Sequence, residues 1–151
     1  MTDEVKFRHI MPAQIRFSDV DQFGHVNNSV YFSLYDLAKS TYVKEVLPDL
    51  DFGKMGIVVA NIKADFFVPV FFMDKIVIET TVVQLGNKSF TLLQRAVTEE
   101  TGEVKCECRT IMVLYDLKAL EPISIPEEYK QMIYEYERKT AEQLAKPVTH
   151  G

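Results

Sequence analysis

Residues 15–46 read IRFSDVDQFGHVNNSVYFSLYDLAKSTYVKEV, and they constrain the fold more than any other stretch. A short strand pattern ends in Arg16-Phe17-Ser18. A polar turn follows with Asp19, Asp21, Gly24, His25, Asn27 and Asn28. The next segment is dominated by Val30, Tyr31, Phe32, Leu34, Tyr35, Leu37, Ala38, Tyr42, Val43 and Val46. Such a segment predicts a helix that is apolar on most of its sides and therefore enclosed by the rest of the chain. At roughly 18 residues it spans about 27 Å, enough to cross a small domain. A carboxylate-bearing turn thus meets a helix N-terminus, where free backbone N–H groups and the positive dipole end face outwards.

The rest of the chain reads as a partner for that helix. The first strand is expected over residues 9–18 and the helix over 28–46, with Pro48 and Gly53 breaking the pattern. Strands are expected over 57–68, 74–85, 88–98 and 103–115, rich in β-branched and aromatic residues. Gly86-Asn87 and Glu99-Glu100-Thr101-Gly102 supply the turns. Short connections favour an antiparallel meander with one apolar face, which the helix would cover. A second, amphipathic helix is expected over 126–146, with Pro126 at its first position and Tyr129, Met132, Ile133 and Tyr136 as its stripe. The whole chain, 1–151, is expected to form a single α+β domain.

Composition narrows the function. A hydrophobic content of 47% excludes disorder, and a net charge of −5 disfavours nucleic-acid or anionic-membrane partners. No apolar run is long enough for a transmembrane helix, and the acidic start MTDEVKFRHIM lacks a secretory core. The two cysteines, Cys106 and Cys108, face one side of a strand and fit buried thiols in a reducing, cytoplasmic setting.

The polar turn excludes several chemistries. It opens like a calcium loop, D-x-D-x-x-G, but Phe23 and Val30 stand where an EF-hand needs an oxygen ligand and a glutamate. No second ligand cluster supports another metal, so none is expected. Phosphate-loop and serine-nucleophile motifs are lacking. Capping a helix needs only Asn27 or Asn28, not two aspartates and a histidine.

The run D-x-D-x-x-G-H-V-N-N-x-x-Y over residues 19–31 resembles the 4-hydroxybenzoyl-CoA thioesterase branch of the hotdog-fold acyl-CoA thioesterases. Leu34-Tyr35-Asp36-Leu37-Ala38-Lys39 is similar to that family's F-Y-E-x-A-R, with Asp36 for Glu. Phe66-Phe67-Val68-Pro69 and Phe72-Met73-Asp74 resemble its Y-x-x-P…G-D, with Phe72 where Gly is common. Asn87-Lys88-Ser89-Phe90, Glu100-Thr101-Gly102-Glu103 and Ile125-Pro126-Glu127-Glu128 follow in order.

The resemblance implies a hotdog fold, an antiparallel sheet wrapped around a long central helix. It also implies a homodimer or homotetramer with active sites between subunits, and hydrolysis of acyl-CoA thioesters to free acid and CoA. Asp21 would be the catalytic carboxylate, as nucleophile or general base. The Asn28 amide would polarise the carbonyl, with His25 beside the acyl group. Gly24, Tyr31, Asn61, Lys88 and Ser89 would bind substrate, the last two reaching the phosphates of coenzyme A. No cofactor is implied, since coenzyme A is part of the substrate. Alternatives are a thioesterase acting on acyl carrier protein, a non-catalytic acyl-CoA binding module, and a hotdog dehydratase, whose usual histidine-bearing motif is not evident. The chemistry agrees independently: an oxyanion at a helix N-terminus meets preorganised donors, and a nearby carboxylate can attack or deprotonate water.

Overall fold

The structure is a computed structural model that describes residues 5–51 and 53–145. Its elements run β1 (His9–Ala13), a single 3-10 turn (Phe17–Asp19), α1 (Asn28–Val46), β2 (Met55–Phe66), β3 (Ile76–Leu85), β4 (Ser89–Thr98), β5 (Val104–Asp116), β6 (Glu121–Pro122), α2 (Glu127–Glu137) and α3 (Ala141–Ala145). The strands form one antiparallel sheet in the order β1-β3-β4-β5-β2, with β6 paired to β5. In the β1–β3 pair, His9 lies opposite Thr80 and Ala13 opposite Ile76.

The chain divides into two compact units. The first runs through Tyr42 and adds Ala64–Thr81 and Gln94–Cys108. The second comprises Val43–Lys63, Val82–Leu93 and the chain from Arg109 onward.

In the first unit, Val26, Tyr31, Tyr35, Ala38, Val70, Ile76, Ile78, Ala96, Cys106 and Cys108 form one buried cluster. Tyr31, Tyr35, Ala38 and Tyr42 follow helical spacing, so a single stripe of α1 carries the burial. Gln94 fastens that stripe to the sheet: its side-chain amide donates to the Tyr35 carbonyl at 3.0 Å and to the Thr80 hydroxyl at 3.1 Å. Both cysteines are fully buried and neither is in a disulfide, and burial pushes the Cys106 thiol up to about 11, so it stays protonated and inert.

In the second unit, α2 buries Tyr129, Ile133 and Glu137. The Glu137 carboxylate accepts the Val82 N–H at 3.2 Å, and the Lys139 ammonium donates to the Val82 carbonyl at 3.1 Å. A buried carboxylate is tolerable there because it engages a strand amide and is not left alone.

Several expectations are corrected. The first strand ends at Ala13, because Arg16 and Asp19 tie residues 16–19 into a 3-10 turn. The helix is not enclosed on most sides: Leu37 is 55% exposed, and Ser29, Ser33, Asp36 and Ser40 share its open surface. The meander covers only β3-β4-β5, since β2 pairs beyond β5 at the sheet edge. The helix expected over 126–146 breaks at Arg138, which turns left-handed (φ 54°) while its N–H caps the Glu135 and Tyr134 carbonyls. Lys146, its expected last residue, lies outside the described residues.

Gln94→Ala should lower unfolding stability by about 1–3 kcal/mol, because it leaves the Thr80 hydroxyl and the Tyr35 carbonyl without that buried donor. Urea titration followed by circular dichroism measures this.

Candidate active site

The polar turn is built by its own hydrogen bonds. The Asp21 N–H donates to the His25 carbonyl at 2.8 Å, and the Gly24 N–H donates to the Asp21 carbonyl at 3.0 Å. Gly24 adopts φ 81°, a left-handed conformation that glycine takes without penalty, and no atom would crowd a Cβ there. At the base of the turn, Val20 bridges Val26, and the Asn27 N–H donates to the Asp19 carbonyl at 2.9 Å. Residue 27 is thereby fixed just before α1 begins.

The two aspartates have different surroundings. Asp19 is 3% exposed, and its carboxylate accepts the Arg16 backbone N–H at 2.8 Å and the Arg16 guanidinium at 3.0 and 3.4 Å. Those hydrogen bonds hold its carboxyl below the usual carboxylate range. Asp21 is exposed. Its Oδ1 accepts the backbone N–H groups of Phe23 at 2.8 Å and His25 at 3.1 Å, while Oδ2 accepts none among the described residues.

Asp21, His25, Val26, Asn27, Asn28, Tyr31, Phe66, Phe67, Val68 and Pro69 line a cavity of about 470 Å³. Asn28 is the first residue of α1, so its peptide N–H precedes the helical hydrogen-bond ladder. That N–H meets no acceptor among the described residues. The His25 ring packs edge-on against Phe71 at 4.9 Å, and the backbones of these two residues bridge. Tyr31 is buried with its ring 5.3 Å from Phe66, and burial pushes its phenol upwards, so it stays neutral. The Val26 N–H to Val70 carbonyl bond, at 2.8 Å, joins the turn to the residue that follows the wall of residues 66–69.

Four expected site residues therefore converge: Asp21, His25, Asn28 and Tyr31. Gly24 shapes the turn without lining the cavity. Asn61 on β2, and Lys88 and Ser89 at the β3–β4 turn, do not line it. Reasoning from sequence missed Arg16, whose only signal is its place three residues before Asp19. It also missed Val26, Asn27, Val68 and Pro69 as wall residues. Among the described residues no group of three or more His, Cys, Asp or Glu side chains is placed to hold a metal. No described helix is long and apolar enough to cross a membrane.

Comparison with known proteins adds a family. The model of the thioesterase-like superfamily matches residues 15–133. No curated protein matches the chain. Among solved structures, the PA5185 protein from Pseudomonas aeruginosa strain PAO1 is 29% identical with a TM-score of 0.78, over 86% of this chain and 92% of that one. A thioesterase from Thermus thermophilus, complexed with coenzyme A and Zn, is 28% identical with a TM-score of 0.78, over 89% and 97%. A 1,4-dihydroxy-2-naphthoyl-CoA thioesterase from Synechocystis shares the fold at 16% identity and a TM-score of 0.72, over 83% and 94%.

The lowered Asp19 carboxyl carries a sign. Its folded pKa lies below its unfolded one, so its contribution is present above the ordinary carboxylate range and fades as pH falls through the folded value. Asp19→Asn should therefore destabilise at neutral pH, and the gap from the parent should narrow steadily in acid. Thermal melts from pH 7 down to pH 3 measure it.

Proposed function

Because the chain belongs to the thioesterase-like superfamily, we propose that it hydrolyses acyl-CoA thioesters to free acid and CoA, with Asp21 as nucleophile or general base. One observation carries the proposal: Asp21, whose Oδ2 accepts no hydrogen bond among the described residues, lines the same cavity as Asn28, whose N–H meets no acceptor among them. Thioester cleavage builds negative charge on the carbonyl oxygen, and a helix N-terminus supplies a fixed donor and a positive potential there. The Asn28 N–H takes that role. Oδ1 of Asp21 is held by two backbone amides, which orients the carboxylate. Oδ2 then either attacks the carbonyl carbon to give an anhydride, which a water hydrolyses to free acid and restored carboxylate, or takes a proton from the water that attacks. In both routes the C–S bond breaks and the sulfur leaves as the CoA thiolate. His25, braced by Phe71, and Tyr31 with Phe66 flank the acyl group and give it an apolar wall.

Coenzyme A is favoured over a carrier protein as the thiol by the 28%-identical Thermus thermophilus thioesterase, which binds coenzyme A. Lys88 and Ser89 are retained as phosphate contacts, offered from a neighbouring subunit, and Asn61 as a substrate contact on β2. A second copy of this chain is the partner proposed for β2. That strand is twelve residues long and lies at the sheet edge, with Val58, Val59 and Ile62 exposed by 41%, 49% and 41%. A long apolar edge invites strand pairing, and antiparallel self-pairing about a two-fold axis satisfies both copies. Phe66 and Phe67 end β2 or follow it, and they stand 44% and 56% exposed on the cavity wall, which a partner there would cover.

Acyl-CoA esters of graded chain length and aryl acyl-CoAs, scored with a thiol-trapping dye, should release CoA. Asp21→Asn should lower kcat by about 10²–10⁴-fold with the fold intact. Equal turnover by mutant and parent would remove Asp21 from the chemistry. Sedimentation equilibrium should give at least twice the chain mass, and a monomer at micromolar concentration would refute the β2 pairing.

A further inference from the structure

We propose that Arg16 and Asp19 are a positioning pair, which aims the Asp21 carboxylate while touching no substrate; the proposal rests on Asp21 performing the chemistry. Neither residue lines the cavity. Asp19 nevertheless holds both ends of the turn that carries Asp21. Its N–H donates to the Arg16 carbonyl at 2.9 Å, and its carbonyl accepts the Asn27 N–H at 2.9 Å. Its carboxylate draws the backbone and side chain of Arg16 onto both oxygens. A carboxylate gripped on both oxygens has its plane fixed as well as its location.

The carboxylate plane matters because of what hangs from it. Between Asp19 and Asn27, the Val20–Val26 bridge and the Asp21–His25 backbone bond pass the orientation on to the tip of the turn. Asp21 Oδ1 is set by the amides of Phe23 and His25, so tilting the base of the turn tilts the reactive oxygen. Misplacing a reacting group by about 1 Å can cost on the order of 10²-fold in rate.

Stability alone is a poor account of the pair. The Arg16 side chain is 72% exposed, against 5% for Asp19, and ion pairs with an exposed partner contribute little to folding. A neutral acceptor at position 19 would still cap the Arg16 N–H. What it would lack is the guanidinium grip on the second oxygen.

The test compares Arg16→Ala, Asp19→Asn, the double variant and Asp21→Asn, with hexanoyl-CoA and benzoyl-CoA as substrates. Arg16→Ala is the informative single change, since removing an exposed side chain leaves the fold standing. Arg16→Ala and Asp19→Asn should each lower kcat by about tenfold or more. KM should stay within about twofold, because the cavity wall is untouched. The double variant should be no worse than the weaker single one, since the two residues act as one unit. Arg16→Lys should recover part of the loss. If Arg16→Ala and Asp19→Asn turn over at the parent rate while Asp21→Asn is dead, the positioning role is wrong. A kcat loss that merely tracks the unfolded fraction in thermal melts overturns it equally. Full activity in Asp21→Asn instead overturns the catalytic premise, a result distinct from either.

Discussion

The hydrogen bond from the Asn27 amide to the Asp19 carbonyl, 2.9 Å long, is the closure on which the site depends. It joins the end of one turn to the last residue before α1, and so decides where the helix starts. A helix must leave its first amides without intrahelical partners. In most proteins a side chain or water takes them. Here the chain commits its polar side chains to the turn instead: Asp19 to Arg16, and Asp21 Oδ1 to Phe23 and His25. The Asn28 amide meets no acceptor among the described residues, and Asn28 lines a cavity. The closure costs little chain entropy, because all its members lie within a few residues of one another.

The helix behind that amide must be rigid, or the donor would wander. A single stripe of large side chains in α1 supplies the burial, and Gln94 adds direction. Its amide reaches the Tyr35 carbonyl and the Thr80 hydroxyl together, joining helix and β3 through one fully buried group. Apolar packing alone tolerates sliding by a fraction of a turn; a buried amide with two fixed partners does not. The buried residues of α1 in this cluster are tyrosines and an alanine, and they pack with Cys106 and Cys108.

What could be read from residues alone follows sequence distance. Asp21, His25, Asn28 and Tyr31 fall within one short run, and they converge because turn chemistry and helix period act locally. The strands β3 to β5 were also legible, since glycine-bearing turns separate alternating segments. Arg16 read as the end of a strand because its partner, Asp19, acts through a buried carboxylate that hydrophobic period does not report. The helix break at Arg138 is similar: a left-handed arginine leaves no compositional mark where glycine would have. The edge placement of β2 and the cavity wall at residues 66–69 depend on strand pairing over long separations. Periodicity says that such strands exist but not who neighbours whom.

Two aspartates two residues apart also show how environment assigns roles to one side-chain type. Asp19 has its charge met by a guanidinium and a backbone amide, and is removed from water. Such a group is a poor base and a poor nucleophile, because any proton or carbon it took would have to displace a stronger partner. Asp21, which lines the cavity, is engaged among the described residues only by neutral amides, through one oxygen. The arginine placed three residues before Asp19 thereby occupies that carboxylate alone, and the Asp21 carboxylate has no cationic partner among the described residues. The difference between the two carboxylates thus follows from their hydrogen-bond partners.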